Sequence, residues 1–184
     1  MASNAAIHRV ELNIADMDRH YYADHALTIA RHPSETEERT MVRLLAYALW
    51  SHERLEFGRG LGEVQDADLW QRDLTGRIER WIDVGLPDAR RIKQACGQSD
   101  EVVVLAYGGR SVDLWWKDTQ GELPKGRALT VAVVAPETTN AMMRLCQRTM
   151  AVQYMLQDGE RWLTIGEERF AFEIAYLLGA PTSA

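Results

Sequence analysis

Two apolar runs place the strongest restriction on the folds available to this chain. The first, VVVLA at 102–106, is followed by Tyr107 and two glycines, and the second, LTVAVVA at 129–135, is followed by Pro136. Apolar runs of this length, without regular polar alternation, are typical of strands that are buried on both faces of a sheet. Together with the helical segments described below, they predict an α/β or mixed α+β fold.

The two ends of the chain show the alternation that is typical of half-buried strands. IHRVELNIAD at 7–16 places its apolar side chains on one face, and YYADHALTIAR at 21–31 is predicted to be its partner strand. Near the C-terminus, Asp158-Gly159 and Gly166 are turn signals within an otherwise strand-like tail. These segments predict additional N- and C-terminal antiparallel β elements.

The segment ARHPSETEERTMVRLLAYALW at 30–50 is predicted to form a helix. Ser34 and Glu37 have the spacing of a capping box. Apolar residues follow at helical spacing, so we expect a helix from Ser34 to about His52 with one buried stripe.

Two shorter helices are predicted further along the chain. One covers 88–96, with Gly97 as its C-terminal stop, and the other begins at Pro136. RSVDLWWKDTQ at 110–120 fits a helix or a strand. No repeat, low-complexity tract or linker interrupts these elements, so a single domain is expected over residues 1–184.

Composition and charge exclude several classes of protein. The net charge of the 184 residues is -6, so the chain as a whole has no attraction to nucleic acid or to an anionic membrane. Its two cysteines, Cys96 and Cys146, lack the spacing of a structural zinc site. Neither a signal peptide nor an apolar run of the ~20 residues that a membrane span needs is visible. A cytoplasmic protein without a membrane partner is therefore expected, and a monomer is favoured.

Several stretches together resemble one protein family. The strings IARHPSETEERTMVRLLAYAL, FGRGL, RWIDVGLPDARRIKQAC and VLAYG are similar to those of the YaeQ family of bacterial proteins, and the resemblance covers most of the chain. It implies a compact variant of the PD-(D/E)XK nuclease fold. The restriction-endonuclease-like core of that fold runs helix, three strands, helix, strand.

This core can be laid on the sequence. The first helix would be the one that begins at Ser34, and the last strand would contain the first apolar run. A strand near Asp66 rests on the resemblance alone. The remaining segments assigned to the core are strands at 55–59, 66–71 and 78–84, a helix at 88–96 and a strand at 101–107.

The resemblance also implies a divalent-metal site, because such nucleases hold Mg²⁺ or Mn²⁺ with two acidic side chains beside the scissile phosphate. Asp83, in WIDVG, is the candidate for the second acid, although an exposed acid on an edge strand is the simpler interpretation. Asp66 and Asp68 compete for the first acid, and Asp66 is preferred. A solvated loop or a turn-capping aspartate would explain either residue as well.

The cation of the motif is missing from its usual place. Gly85 stands two residues after Asp83, where the motif has lysine. Arg91 or Lys93 on the following helix could supply the charge instead, since arginine binds phosphate through its fork and lysine as a point charge. A solvated basic helix face is the alternative for each of these residues.

One carboxylate is predicted to point inward from the first helix. Successive helical residues turn by about 100°, which places Glu38 in the apolar stripe with Met41 and Leu45, and Glu35 at the edge of that stripe. A buried carboxylate must be paired, hydrogen-bonded or metal-bound. An internal salt bridge to an arginine such as Arg39, Arg90 or Arg91 is preferred here to a metal.

Two functional hypotheses follow from these residues. The first is a metal-dependent phosphodiesterase in which Asp66 and Asp83 hold Mg²⁺ or Mn²⁺, Glu38 supports them, and Arg91 or Lys93 supplies the cation. The second is a non-catalytic module that binds a nucleic acid or a protein, with the fold retained and the motif lysine lost.

Overall fold

The computed structural model describes residues 5–59 and 65–179, and these form eleven strands and four α-helices. The strands of the first half are β1 (Ala6–Asp16), β2 (Tyr21–Arg31), β3 (Leu55–Phe57), β4 (Leu69–Arg72), β5 (Ile78–Val84) and β6 (Ser99–Ala106). Those of the second half are β7 (Ala128–Val134), β8 (Thr149–Gln157), β9 (Glu160–Ile165), β10 (Glu168–Phe172) and β11 (Ile174–Leu178). The helices are α1 (Glu37–Leu49), α2 (Ala89–Gln98), α3 (Arg110–Thr119) and α4 (Pro136–Arg144).

The strands form two mixed sheets. The first has the order β10-β9-β8-β1-β2, and the second has the order β11-β7-β6-β5-β4-β3. The predicted β1–β2 pair and the β8–β9–β10 meander are antiparallel, as expected. The N- and C-terminal elements are nevertheless not separate additions, because β8 pairs with β1 in parallel and β11 joins the second sheet beside β7.

Helix α1 lies between the two sheets. Every residue from Thr40 to Ala48 is buried, so the prediction of a single buried stripe was too narrow. One apolar core joins this helix to side chains of both sheets, including Val10 and Leu12 of β1 and Ile82 and Val103 of β5 and β6. The second sheet thereby has one face against α1, and a smaller apolar cluster with α2 lies on its other face.

The start of α1 differs from the prediction. Thr36 is the N-cap, and its hydroxyl accepts a hydrogen bond from the Arg39 amide at 3.1 Å. Ser34 instead lies in the preceding turn, where the Glu35 amide donates to the His32 carbonyl at 2.8 Å. The predicted Ser34 cap was therefore wrong, because a local turn uses the serine before the helix begins.

The central part of the second sheet follows the predicted order of elements, with α1, β3, β4, β5, α2 and β6 in succession. The strand expected near Asp66 is β4, which begins three residues later. β5 pairs with β4 in an antiparallel direction and with β6 in a parallel direction. The interpretation of Asp83 as an exposed edge-strand acid was wrong, because its strand has a neighbour on each side.

Helix α2 begins at the predicted place but extends beyond the expected stop. Asp88 is its N-cap and accepts a hydrogen bond from the Arg91 amide at 2.8 Å. Gly97 lies inside the helix rather than after it. The segment at 110–120, which fitted a helix or a strand, forms α3 up to Thr119. Among the described residues, none of these helices is long and apolar enough to cross a bilayer.

Candidate carboxylate–arginine site

Asp83 and Arg91 form the centre of the candidate site. Asp83 is near the end of β5 and only 2% exposed, and Arg91 lies in the first turn of α2. Arg91 Nε donates to Asp83 Oδ2 at 2.7 Å, and Arg91 Nη2 donates to Asp83 Oδ1 at 2.8 Å. The guanidinium therefore engages both oxygens of a buried carboxylate, which is the geometry of a strong ion pair.

Asp68 provides a second buried carboxylate beside the first. It directly precedes β4, whose Leu69 pairs with Ile82 of β5, so the antiparallel register brings Asp68 to the Asp83 end of that strand. Asp68 Oδ2 accepts from the Val84 amide at 2.7 Å, and Oδ1 accepts from Arg39 Nη2 at 2.6 Å. The backbone group that follows Asp83 therefore holds Asp68 in place.

The electrostatics of Asp83 reflect this arrangement. Burial raises the pKa of its carboxyl, the hydrogen bonds from Arg91 lower that pKa, and the negative charge of Asp68 raises it again. The pKa lies above its ordinary value on balance, so Arg91 compensates only part of the cost of this buried charge.

Arg39 of helix α1 connects Asp68 to Glu35. Its Nη1 donates to Glu35 Oε1 at 3.3 Å while its Nη2 contacts Asp68. Arg43 Nη1 then donates to both oxygens of Glu35, at 2.9 and 3.0 Å. Glu35 is 4% exposed and Arg43 is 1% exposed, so this second ion pair is also buried. We call Arg43, Glu35, Arg39, Asp68, Asp83 and Arg91 the charge network.

Glu38 was predicted to be the inward carboxylate, and its place is different. It is half-buried, and its Oε1 accepts from Thr139 Oγ1 of α4 at 2.7 Å. The fully buried carboxylate is Glu35, which was expected only at the edge of the stripe. The preferred salt bridge to Arg39 is therefore present but belongs to Glu35 rather than to Glu38.

Asp66 and Lys93 lie outside the charge network. The Asp66 carboxylate accepts from Arg59 Nε at 2.7 Å and from Arg59 Nη2 at 3.3 Å, and these hydrogen bonds hold its pKa below the ordinary value. The Asp66 carbonyl, rather than its carboxylate, accepts a hydrogen bond from Arg91 Nη2 at 2.8 Å. Lys93 is exposed and lies 3.5 Å from Glu122. Of the alternatives that the sequence left open, the geometry brings Asp68 and Arg91 to Asp83.

The sequence analysis did not include Arg43 and placed Glu35 only at the edge of the buried stripe, although both belong to the charge network. A signal for both was present, because Glu35, Arg39 and Arg43 are spaced four residues apart and such side chains face one another around a helix. The contact between Asp68 and the Val84 amide had no local signal, since it depends on the register of two strands.

The donor chemistry of Asp68 and Asp83 suits a hard divalent cation, since Mg²⁺ is commonly held by one or two carboxylates with water and substrate phosphate. The described residues contain no group of three or more His, Cys, Asp or Glu side chains that could hold a metal ion. All four oxygens of the two aspartates already accept hydrogen bonds. The pair therefore fits such an ion chemically, provided that the cation replaces contacts with the arginines.

Comparisons with known proteins identify close relatives of the chain. The family profile described as YaeQ protein matches residues 1–174. Proteins named uncharacterized protein YaeQ from Escherichia coli (strain K12) and Salmonella typhi are each 42% identical to it over 164 residues, which are 89% of this chain and 91% of theirs.

Two solved structures are similar along nearly the whole chain. The crystal structure of YaeQ protein from Xanthomonas axonopodis pv. citri matches with a TM-score of 0.91 and 44% identity, covering 96% of this chain and 99% of that one. The crystal structure of YaeQ protein from Pseudomonas syringae matches with a TM-score of 0.93 and 34% identity, covering 98% and 99%.

Proposed function

The chain belongs to the YaeQ family, and from this premise we propose that it is a metal-dependent phosphodiesterase related to the PD-(D/E)XK nucleases. One observation carries the proposal: the carboxylates of Asp68 and Asp83 lie at the same end of two paired strands, and Arg91 contacts the second of them. This is the combination of two acids and one cation that the chemistry requires.

In this proposal Asp68 and Asp83 would hold Mg²⁺ or Mn²⁺. A bound divalent cation polarises a phosphodiester and lowers the pKa of a coordinated water. Asp68 takes the place that the sequence assigned to Asp66, because the Asp66 carboxylate is directed to Arg59. Two neighbouring carboxylates repel each other, and the raised pKa of Asp83 reflects part of that repulsion. A cation would relieve it.

Arg91 replaces the motif lysine in this proposal. Its planar fork suits the oxygens of a phosphate as well as those of a carboxylate, and it keeps its charge at any working pH. Asp83 orients the guanidinium of Arg91. When substrate binds, part of the Arg91 N–H groups would donate to a phosphate instead of to Asp83. Arg39 would position Asp68, with Glu35 and Arg43 anchoring Arg39 in turn. Glu38, bonded to Thr139, has no direct part.

Cleavage assays test this proposal. Single- and double-stranded DNA and RNA are incubated with the wild-type protein and Mn²⁺, beside D83N and D68N variants. We expect cleavage by the wild type, loss of cleavage in both variants, and retention in D66N and K93M. Circular dichroism shows whether each variant is folded. Isothermal calorimetry with Mn²⁺ should give a signal that D83N lacks.

A second candidate function rests on a specific observation. Arg91 uses two nitrogens to engage both oxygens of Asp83, and Gly85 stands where the lysine would be. A carboxylate held in this way suits a structural ion pair, which would make the protein a non-catalytic module that binds a nucleic acid or a protein. Wild-type protein that shows neither cleavage nor a Mn²⁺ signal, but retains a nucleic acid in a gel-shift assay, would support this module and contradict the phosphodiesterase.

A further inference from the structure

A cavity of about 650 Å³ lies at the opposite end of α1 from the charge network. Helix α1 has 13 residues and a length of about 20 Å, with Glu35 just before its start and Trp50 as its C-cap. The cavity is bounded by residues that follow the helix, by the β1–β2 and β8–β9 turns, and by strands of both sheets. Its volume is in the range of cavities that hold small ligands.

One part of the cavity wall is apolar and aromatic. Leu49 and Trp50 at the end of α1, Leu156 and Tyr154 of β8, and Tyr176 of β11 contribute to it. Such side chains bury the body of a flat organic molecule, and aromatic rings stack on it. The polar part of the wall contains Arg19, Arg80 and Arg161.

The acidic groups near the cavity have internal partners. Asp16 Oδ1 accepts a hydrogen bond from the Arg19 amide at 2.9 Å, and Asp16 Oδ2 accepts one from Arg19 Nε at 2.6 Å. The two oxygens of Asp18 accept from the backbone amides of Asp158 and Gly159 at 2.8 and 2.9 Å. The Ser51 hydroxyl, another polar group of the wall, donates to the Tyr47 carbonyl at 2.6 Å.

Two of the arginines, in contrast, have N–H groups without a hydrogen-bond partner among the described residues. Arg80 is paired with Glu101 at 2.7 Å, whereas Arg161 makes no ion pair within the described ranges, donates to the Gly159 carbonyl at 3.4 Å and interacts with the Tyr154 phenol. Arg161 Nε and Arg19 Nη2 are buried and have no hydrogen-bond partner in that part of the chain. Both guanidinium groups act on the same Tyr154 phenol, where they oppose the effect of burial on its pKa.

We propose that this cavity binds a small organic anion, with its carboxylate or phosphate held by Arg161 and Arg19 and its flat apolar body against Trp50 and Tyr176. An anion is favoured over a cation because the oxygens of Asp16 and Asp18 already accept hydrogen bonds, whereas Arg19 Nη2 and Arg161 Nε have no hydrogen-bond partner among the described residues. Two guanidinium forks suit either anionic group. The inference does not depend on the proposed phosphodiesterase, because no residue of the charge network lines the cavity.

Isothermal calorimetry with the full chain tests the proposal. The probes are phenyl phosphate, benzoate, inorganic phosphate and the neutral analogue benzyl alcohol. We expect at least one aromatic anion to bind, with affinity about tenfold or more above that of benzyl alcohol, because the charged contact is lost in the neutral probe. The ratio of phenyl phosphate to benzoate affinity then identifies the preferred anionic group. Weak binding of inorganic phosphate would show the contribution of the ring.

Matched variants assign the binding to this cavity. R161Q should weaken the bound anion about tenfold or more, whereas R169Q, which removes an exposed arginine of β10, should leave affinity unchanged. R161K keeps the charge and should retain part of the affinity. It replaces R161Q in the comparison if R161Q folds poorly. D83N should bind normally, which separates this result from the phosphodiesterase assay. Absence of binding by every anion up to about 10 mM, or equal loss in R161Q and R169Q, would overturn the proposal.

Discussion

Arg91 donates hydrogen bonds to both carboxylate oxygens of Asp83, which lies eight residues earlier, on the other side of the turn between β5 and α2. That turn depends on Gly85, whose φ of +100° lies in the left-handed region that L-residues rarely adopt. Its amide donates to the Leu105 carbonyl at 3.0 Å. Gly85 therefore has a backbone role at this turn, and Arg91 lies on the helix that the turn introduces.

The first prediction concerns the restoration of the motif lysine. Gly85→Lys should destabilise the protein by about 1–3 kcal/mol, because a side chain is forced into a left-handed backbone conformation. Urea denaturation measures the change. Gly97→Lys is the control, since Gly97 is exposed within α2 and has no heavy atom near its added Cβ. A G85K variant as stable as wild type would contradict this account of the turn.

The second prediction concerns the pH dependence of the Asp83–Arg91 pair. Arg91→Met should cost about 3–5 kcal/mol at neutral pH, because the Asp83 charge stays buried without its partner. Burial already raises the pKa of Asp83, and loss of Arg91 should raise it further. A carboxyl whose pKa is higher in the folded state favours folding when protonated, so stability is lost as pH rises through that pKa.

The difference in free energy of unfolding between wild type and R91M should therefore become smaller as the pH falls toward about 4, where carboxyl groups ordinarily titrate. Unfolding by urea between neutral and mildly acidic pH tests this, with wild type measured beside the variant. Lys93→Met, at an exposed position of the same helix, is the matched control. A deficit that stays constant with pH would show that its origin is lost packing rather than the uncompensated charge.

The third prediction concerns Gly58, which holds the Asp68 segment in place. Its amide donates to the Asp68 carbonyl at 2.9 Å, and a Cβ at this position would lie 1.9 Å from the Ala67 carbonyl oxygen. Gly58→Ala must therefore displace backbone next to β4, and we expect a loss of stability of about 2 kcal/mol or more. If the phosphodiesterase proposal holds, Mn²⁺-dependent activity should fall with it.

Gly97→Ala is the counterpart of this variant. Gly97 lies within a helix and has open space at its Cβ position, so alanine should stabilise the protein by about 0.5–1 kcal/mol. Thermal unfolding of the two alanine variants and wild type should place them on opposite sides of the wild-type midpoint. A G58A midpoint equal to that of wild type would rule out the close approach.

The fourth prediction concerns alkaline unfolding. Burial raises the pKa of Tyr47, Tyr107 and Tyr154 to about 12 in each case. The unfolded chain ionises these phenols near pH 10, so it releases protons before the folded state does. Their contribution to stability should be complete below pH 10 and lost as the pH rises toward 12.

Absorbance of tyrosinate at 295 nm and circular dichroism, followed together against pH, measure this loss. We expect the buried phenols to ionise in the same step in which the fold is lost. Tyr154→Phe should move the alkaline midpoint upward, because it removes one of the phenols. Full titration of all tyrosines in a folded protein would contradict the prediction.

Much of the fold could be predicted from local patterns. The alternation at 7–16 and the apolar runs at 102–106 and 129–135 each correspond to a strand. Period-two and apolar patterns record which faces of a segment are buried, and this is a local property. The predicted start of α1 and the predicted end of α2 were wrong. Serine occurs both at helix N-caps and in turns, and glycine both after and within helices, so the surrounding chain decides the role of Ser34 and Gly97.

The sequence predicted that the candidate site would combine acids with a cation, but it did not predict which acidic residues would form the site. The resemblance led to Asp83 and Arg91, while Asp66 was preferred to Asp68 and Glu38 to Glu35. Asp68 reaches Asp83 only through the register of β4 on β5. Glu35 is buried only because α1 lies between two sheets and Arg43 lies beside it. Neither condition is written in the residues next to these acids.

The sequence by itself determined the family, the succession of helices and strands, and the segments that must be buried, since hydrophobic periodicity and motif strings are carried by neighbouring residues. Only the tertiary structure decided that β8 lies parallel to β1, that α1 is enclosed on both sides, and which acid meets which arginine. Ion pairs and strand pairing join residues that are distant along the chain. Their partners are selected by geometry and desolvation, which exist only once the chain has folded.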